Sequence, residues 1–221
     1  MKLLAGVNGQ QFAPATRTSV GRGVACCAGK IPLWVKVVYT AFLAVLVPVY
    51  WAYYGPANFL WFSDIALLVI FPALWLESRF LASTQAVSVT LLEFLWVVDF
   101  LVRLVAGVQL VGISAYMFEP ERPLFLRGLS LFHLALPALL LWLVWRLGYD
   151  RRAWLAQSAL ALIVLPVCYL FTDPADNINW VFGPGQGRQE WMPPGLYLAL
   201  LMGLFPLGVY LPTHLVLRRV F

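Results

Sequence analysis

Charge is scarce in this chain. Asp, Glu, Lys and Arg together make up 11% of its 221 residues, against about 25% in soluble domains. Apolar residues make up 62%, against roughly 45–50%. That balance excludes a soluble globular protein, a disordered chain and a nucleic-acid-binding module, even though the net charge is +5. Cysteine is scarcer still. Cys26 and Cys27 adjoin one another and Cys168 sits in an apolar run, a spacing that gives neither a disulfide framework nor a zinc site. With two histidines and no glycine-rich phosphate loop, the sequence implies no metal and no cofactor. No apolar h-region precedes Val24-Ala25-Cys26, so neither a lipoprotein cleavage site nor a cleaved signal peptide is expected there.

Long apolar runs are what the chain has in abundance. A helix needs roughly 20 apolar residues to cross about 30 Å of hydrocarbon. Runs of that kind fall at 32–54, 58–76, 86–113, 124–146, 153–171 and 194–217. Gly55-Pro56, Glu119-Pro120-Glu121-Arg122-Pro123 and the Gly/Pro-rich stretch 172–194 carry turn signals between them. The expectation is an all-α polytopic membrane protein: a mobile, polar, cytoplasmic N-terminal tail (1–31), then a six-helix transmembrane domain (32–221). No internal repeat supports an inverted-repeat transporter.

Orientation follows from the basic residues outside the runs. Lys2, Arg17, Arg22, Lys30, Lys36, Arg79, Arg146, Arg151, Arg152, Arg218 and Arg219 fall on one side, and Arg122, Arg127 and Arg188 on the other. This asymmetry puts both termini in the cytoplasm. It reports topology and proximity to anionic headgroups, not a nucleic-acid partner. Trp34, Trp51, Tyr53, Tyr54, Trp61, Trp180 and Trp191 at run boundaries fit an interfacial belt.

Ionisable groups inside a bilayer are costly and therefore candidates for function. Asp64, Glu93, Asp99, Arg103 and His133 all fall within runs, and the topology gathers them in the outer half of the membrane. Asp99 and Arg103, four apart, share a helix face and read as an intrahelical ion pair or as members of a site. Glu93 lies about 120° around the helix from Asp99, free to bond a neighbouring span or to stay neutral. Ser63 and His133 can carry nucleophilic chemistry, since a hydroxyl needs an adjacent base and imidazole supplies one near neutrality. Asp64 or Asp99 would orient the imidazole, and Arg103 would contact a headgroup or oxyanion. No Gly-x-Ser-x-Gly elbow surrounds Ser63.

The run Thr172-Asp173-Pro174-Ala175-Asp176-Asn177-Ile178-Asn179-Trp180 places acids, amides and an indole just outside the fifth span. It reads either as a compact loop whose amides cap helices, or as a lid contacting substrate through Asn177 and Asn179, with Asp173 and Asp176 beside them. Two carboxylates without EF-hand spacing argue against calcium.

The phrase Phe59-Leu60-Trp61-Phe62-Ser63-Asp64-Ile65-Ala66-Leu67-Leu68, with the stretch from Asp173 to Gly183, resembles a family of uncharacterised bacterial six-span integral membrane proteins. More distantly, the layout resembles the androgen-induced six-span membrane hydrolases, which cleave fatty-acid esters of hydroxy fatty acids, and a related acyltransferase-like group. In those enzymes a Thr or Cys nucleophile near the second span works with a His in the fourth. The resemblance implies those roles for Ser63 and His133, with Asp64 and Pro137 as context. Alignment on Asp64 instead puts Trp61 at the Thr position and leaves no nucleophile. The expected protein is thus a multi-pass protein of the bacterial inner membrane with an outward-facing polar pocket, a lipid or fatty-acyl ester hydrolase or acyltransferase. Membrane lipids are its expected partners, with a second copy or another membrane subunit also open. A proton-coupled or small-solute transporter and a non-catalytic scaffold subunit are the alternatives.

Overall fold

The computed structural model describes residues 31–185 and 187–221; the expected N-terminal tail up to residue 30, with Cys26 and Cys27, lies outside the described residues. The described residues are all-α, without a strand. Eight helices follow in order: α1 Leu33–Tyr54, α2 Phe62–Trp75, α3 Arg79–Ala106, α4 Leu124–Ser130, α5 Phe132–Leu147, α6 Ala153–Phe171, α7 Pro194–Leu204 and α8 Leu211–Val220. A π-helical stretch, Phe205–Tyr210, joins α7 to α8. Short 3₁₀ turns occupy Pro56–Leu60, Ala115–Phe118 and Ile178–Trp180.

Four helical stretches are long and apolar enough to cross a membrane: Leu33–Tyr54, Leu124–Leu147, Ala153–Phe171 and Pro194–Val220. Their outer surfaces carry Leu33, Val38, Leu155, Ile163, Leu170 and Phe171, all exposed, as suits helices solvated by hydrocarbon. The second expected run is shorter as a helix. Gly55 takes a positive φ of 75° and Pro56 starts a 3₁₀ turn, so α2 begins only at Phe62 and has 14 residues.

The third run is displaced. Helix α3 starts at Arg79, before the expected residue 86, and stops at Ala106 instead of 113. Its first turns carry Ser83, Thr84, Gln85, Ser88 and Thr90, every one buried, so packing within the bundle, not apolarity, makes them helical. Glu77, at φ 49°, occupies the left-handed position of a Schellman turn in which Ser78 N–H bonds Ala73 C=O at 3.0 Å. Ser78 Oγ then caps α3 by accepting from Leu81 N–H. At the far end Gly107, at φ 71°, ends the helix, and the chain folds back.

The expected sixth run passes through the π stretch. Pro206 and Pro212 lack N–H groups and cannot donate to carbonyls one turn back; Trp154 Nε1 ties the stretch to α6 by donating to the Pro206 carbonyl at 3.0 Å. Helix α3 is the hub, packing against α2, α5, α6, α8 and the π stretch. The core around it is built from Leu67, Ile70, Leu74, Leu136, Leu140 and Leu165.

The α5–α6 turn holds a buried carboxylate. Asp150 accepts from Arg152 N–H, Nε and Nη2 at 3.0–3.1 Å, while its own N–H donates to Ser83 Oγ at 2.9 Å. The Arg152 side-chain bonds, followed by its backbone bond, hold Asp150 below the ordinary carboxylate value of 3.8. A folded value depressed in this way contributes stability that is complete above the unfolded value and is lost as pH falls through the folded one. Asp150→Asn is therefore expected to lower Tm at pH 7 and to flatten its decline below about pH 4, as thermal unfolding across a pH series will show.

Candidate functional site

A cavity of about 900 Å³ opens within the bundle, lined by side chains of α1, α2, α3 and α5 and by the loop from Pro174 to Arg188. Seven sequence candidates line it: Ser63, Asp64, Glu93 and His133 from the helices, and Asp176, Asn177 and Asn179 from the loop. The decisive contact joins α3 to α5: His133 Nδ1 lies 2.7 Å from Glu93 Oε2. An ionised carboxylate is an acceptor only, so with Glu93 ionised the donor in this bond is Nδ1. The ring is stacked between Trp96, at 4.6 Å and 22°, and Phe132, at 4.0 Å and 30°. Its orientation is thereby fixed from both faces and from one edge.

Ser63 occupies the first turn of α2. Thr40, Thr84, Thr172 and Thr213 each return a hydrogen bond to the carbonyl four residues back. Ser63 follows the 3₁₀ turn Pro56–Leu60, not an α-helical turn, and its hydroxyl has no hydrogen-bond partner among the described residues. Asp64, next to it, is buried, and its Oδ1 has no hydrogen-bond partner among the described residues. The first-turn N–H groups of a helix lack intrahelical acceptors; here Phe62 N–H is taken by Asn179 Oδ1 at 3.1 Å.

The other candidates do different work. The expected Asp99–Arg103 ion pair is not formed. Asp99 is buried and accepts four bonds from the returning chain: Val111 N–H at 2.8 Å, Gly112 N–H at 3.0 Å, Ser114 N–H at 2.9 Å and Ser114 Oγ at 2.6 Å. Arg103 instead donates to Gln109 Oε1 and lies over the Phe118 ring. Neither is among the cavity-lining residues, and the group beside the imidazole is Glu93, not Asp99. Asn177 and Asn179 line the cavity, yet their amides hold the loop. Asn177 bonds Gly183 C=O, Gly185 C=O and Phe182 N–H, and Asn179 ties the loop to Leu60 C=O and Phe62 N–H. Asp173 caps its own turn at Ala175 N–H, while Asp176 borders the cavity.

Sequence reasoning missed a polar and aromatic edge. Tyr50, Tyr54, Tyr116, Arg122, Ser130 and Arg188 also line the cavity. Arg122 donates to Tyr54 Oη at 2.6 Å and to Glu119, and its guanidinium lies 5.2 Å from the Tyr116 ring. Burial alone would make Arg122 less basic, but its bonds to Glu119 and Tyr54 outweigh that and raise it. Burial likewise holds the Tyr116 phenol above its ordinary range. A usable signal existed: Tyr50 and Tyr54 are one turn apart, and Ser130 lies one turn before His133.

Compared with known proteins, the chain matches no family model, no curated protein and no solved structure.

Proposed function

We propose that this is a six-span protein of the bacterial inner membrane with both termini in the cytoplasm, and that its outward-facing cavity hydrolyses or transfers the acyl group of a lipid ester. The observation carrying the reading is the His133–Glu93 bond inside a cavity that also holds an unbonded Ser63 hydroxyl. The resemblance to the six-span ester hydrolases favours the same chemistry.

In this reading Ser63 Oγ attacks the acyl carbonyl while His133 Nε2 takes its proton, leaving the imidazolium steadied by Glu93. The tetrahedral oxyanion meets the unpaired N–H groups of the first turn of α2. Collapse breaks the ester bond, His133 returns the proton to the departing alkoxide, and the acyl group remains on Ser63. Water or a second alcohol, deprotonated by the same imidazole, then attacks the acyl-serine and regenerates the hydroxyl. Asp64 accepts a hydrogen bond from a hydroxyl of the substrate. The role the sequence assigned to Asp64 or Asp99 as orienting acid passes to Glu93.

The test is labelling of purified protein in lipid nanodiscs with a fluorophosphonate, followed by peptide mass spectrometry. The expected result is one adduct on Ser63, absent in Ser63→Ala. Monodisperse wild type without an adduct on Ser63 overturns the serine mechanism.

One observation favours a second reading, a proton-coupled or small-solute transporter. Polar residues continue beyond the cavity along α3, where Gln85 and Ser88 are buried, and into α6 and the π stretch, where Gln157 meets the Tyr210 hydroxyl at 3.4 Å. Uptake into proteoliposomes by a protein that fails to label would select it.

A further inference from the structure

The walls of the cavity are not equally strong. On one side α3 packs along α2 and α5, and Asn179 bonds the loop to the start of α2. On the other side, α1 packs against α2 and the 56–60 turn but makes no comparable packing with α5. The seam between α1 and the α4–α5 rod is bridged by side chains: Tyr50 Oη and Ser130 Oγ share a hydrogen bond at 2.8 Å, and Arg122, just before α4, donates to Tyr54 Oη at 2.6 Å. Tyr53, beside them, is 61% exposed and yet lines the cavity, so the cavity reaches the outer flank of the bundle there.

That flank is apolar. Trp51 on α1 and Leu131 and Leu134 on the opposite lip are exposed apolar residues. Beyond the seam Phe62, Val89, Leu92 and Phe132 give the lining an apolar wall beside Asp64, Glu93 and His133, and Arg122 and Arg188 stand at its loop edge with Asp176. That apolar wall, with two guanidinium groups at the loop edge, matches the acyl chain and head of an anionic amphiphile.

We infer that the acyl chain of an anionic bilayer lipid passes sideways into the cavity between α1 and α5, with the Tyr50–Ser130 and Tyr54–Arg122 bridges as the latch. The inference rests on the acyl-ester reading above and names its substrate class: a membrane lipid with an anionic headgroup, not a water-soluble ester. The chain slips beneath the latch while the headgroup stays at the level of Arg122 and Arg188, which brings an ester bond between them toward Ser63 and His133.

The experiment uses nanodiscs containing phosphatidylglycerol with a diazirine at the acyl terminus, and the adducts are located by peptide mass spectrometry. The expected result is labelling of Val89, Leu92 or Phe132 in addition to lipid-facing residues, and labelling at least about tenfold weaker with the same diazirine in phosphatidylcholine, a discrimination of about 1.4 kcal/mol. Adducts confined to the outer faces overturn the inference, and equal labelling by the two lipids overturns the anionic assignment. The path itself is tested with Tyr50→Cys/Ser130→Cys in a Cys26→Ser/Cys27→Ser background, joined by a cleavable bifunctional thiol reagent. Joining should abolish interior adducts and cleavage should restore them; interior adducts that persist in the joined protein overturn passage through this seam. Interior adducts in a protein whose Ser63 is inert to fluorophosphonate would uphold the lipid path and sink only the catalytic reading.

Discussion

Fluorophosphonate should modify Ser63 about 10²–10⁴ times more slowly in His133→Ala than in wild type, the span typical of a lost general base. Glu93→Gln should fall within the same range although it leaves the imidazole in place. In the proposed mechanism Glu93, whose Oε2 lies 2.7 Å from Nδ1, accepts from it and so selects the tautomer whose Nε2 is basic. An amide at residue 93 can present N–H to Nδ1 instead, which stabilises the other tautomer and makes Nε2 a donor. Asp99→Asn, in contrast, should slow labelling no more than its loss of folded protein explains, because Asp99 lies outside the cavity lining. Labelling rates of the three variants, normalised to monodisperse protein, separate the two carboxylates. Equal rates for Glu93→Gln and wild type would remove Glu93 from the mechanism.

How much of this was legible beforehand depended on the kind of signal. Spans were legible where apolarity alone makes a helix, as at Leu33–Tyr54 and Ala153–Phe171. The start of α3 was not, because Ser83, Thr84 and Gln85 are polar and become helical by burial against other helices. Ser63 and His133 were legible as a candidate pair, and one cavity holds both, but Glu93 was one acid among three. Its partner lies 40 residues away on another helix, a relation no spacing encodes. The loop amides were ambiguous for a different reason. Asn177 and Asn179 both adopt positive φ, at 42° and 52°, and a side chain that caps its own loop is written with the same letters as one that contacts a ligand.

Asp99 was misjudged through a spacing that usually holds. Residues four apart on a helix are neighbours, so Asp99 and Arg103 suggest an ion pair whose two members are worth keeping or losing together. That relation predicts rescue: each single charge deletion lowers folded yield, and the double deletion recovers part of it. The structure predicts the reverse. Gly107 turns the chain back, and the segment Val111–Ser114 delivers three N–H groups and one hydroxyl to the two Asp99 oxygens. Asp99→Ala strips four donors of their acceptor and should cost about 3–5 kcal/mol, the range for a broken buried charge network. Asp99→Asn keeps one acceptor oxygen and turns an NH₂ toward donors, so it should recover only part of that loss. Arg103→Ala gives up an exposed bond to Gln109 and a contact with Phe118, worth about 1 kcal/mol or less. Since the two side chains do not bond each other, Asp99→Ala/Arg103→Ala should be as unstable as the sum of the single variants, within about 0.5 kcal/mol. Denaturant-titrated unfolding of the four proteins in one detergent decides it: recovery of stability in the double variant would reinstate the ion pair, and additivity assigns Asp99 to the loop it holds.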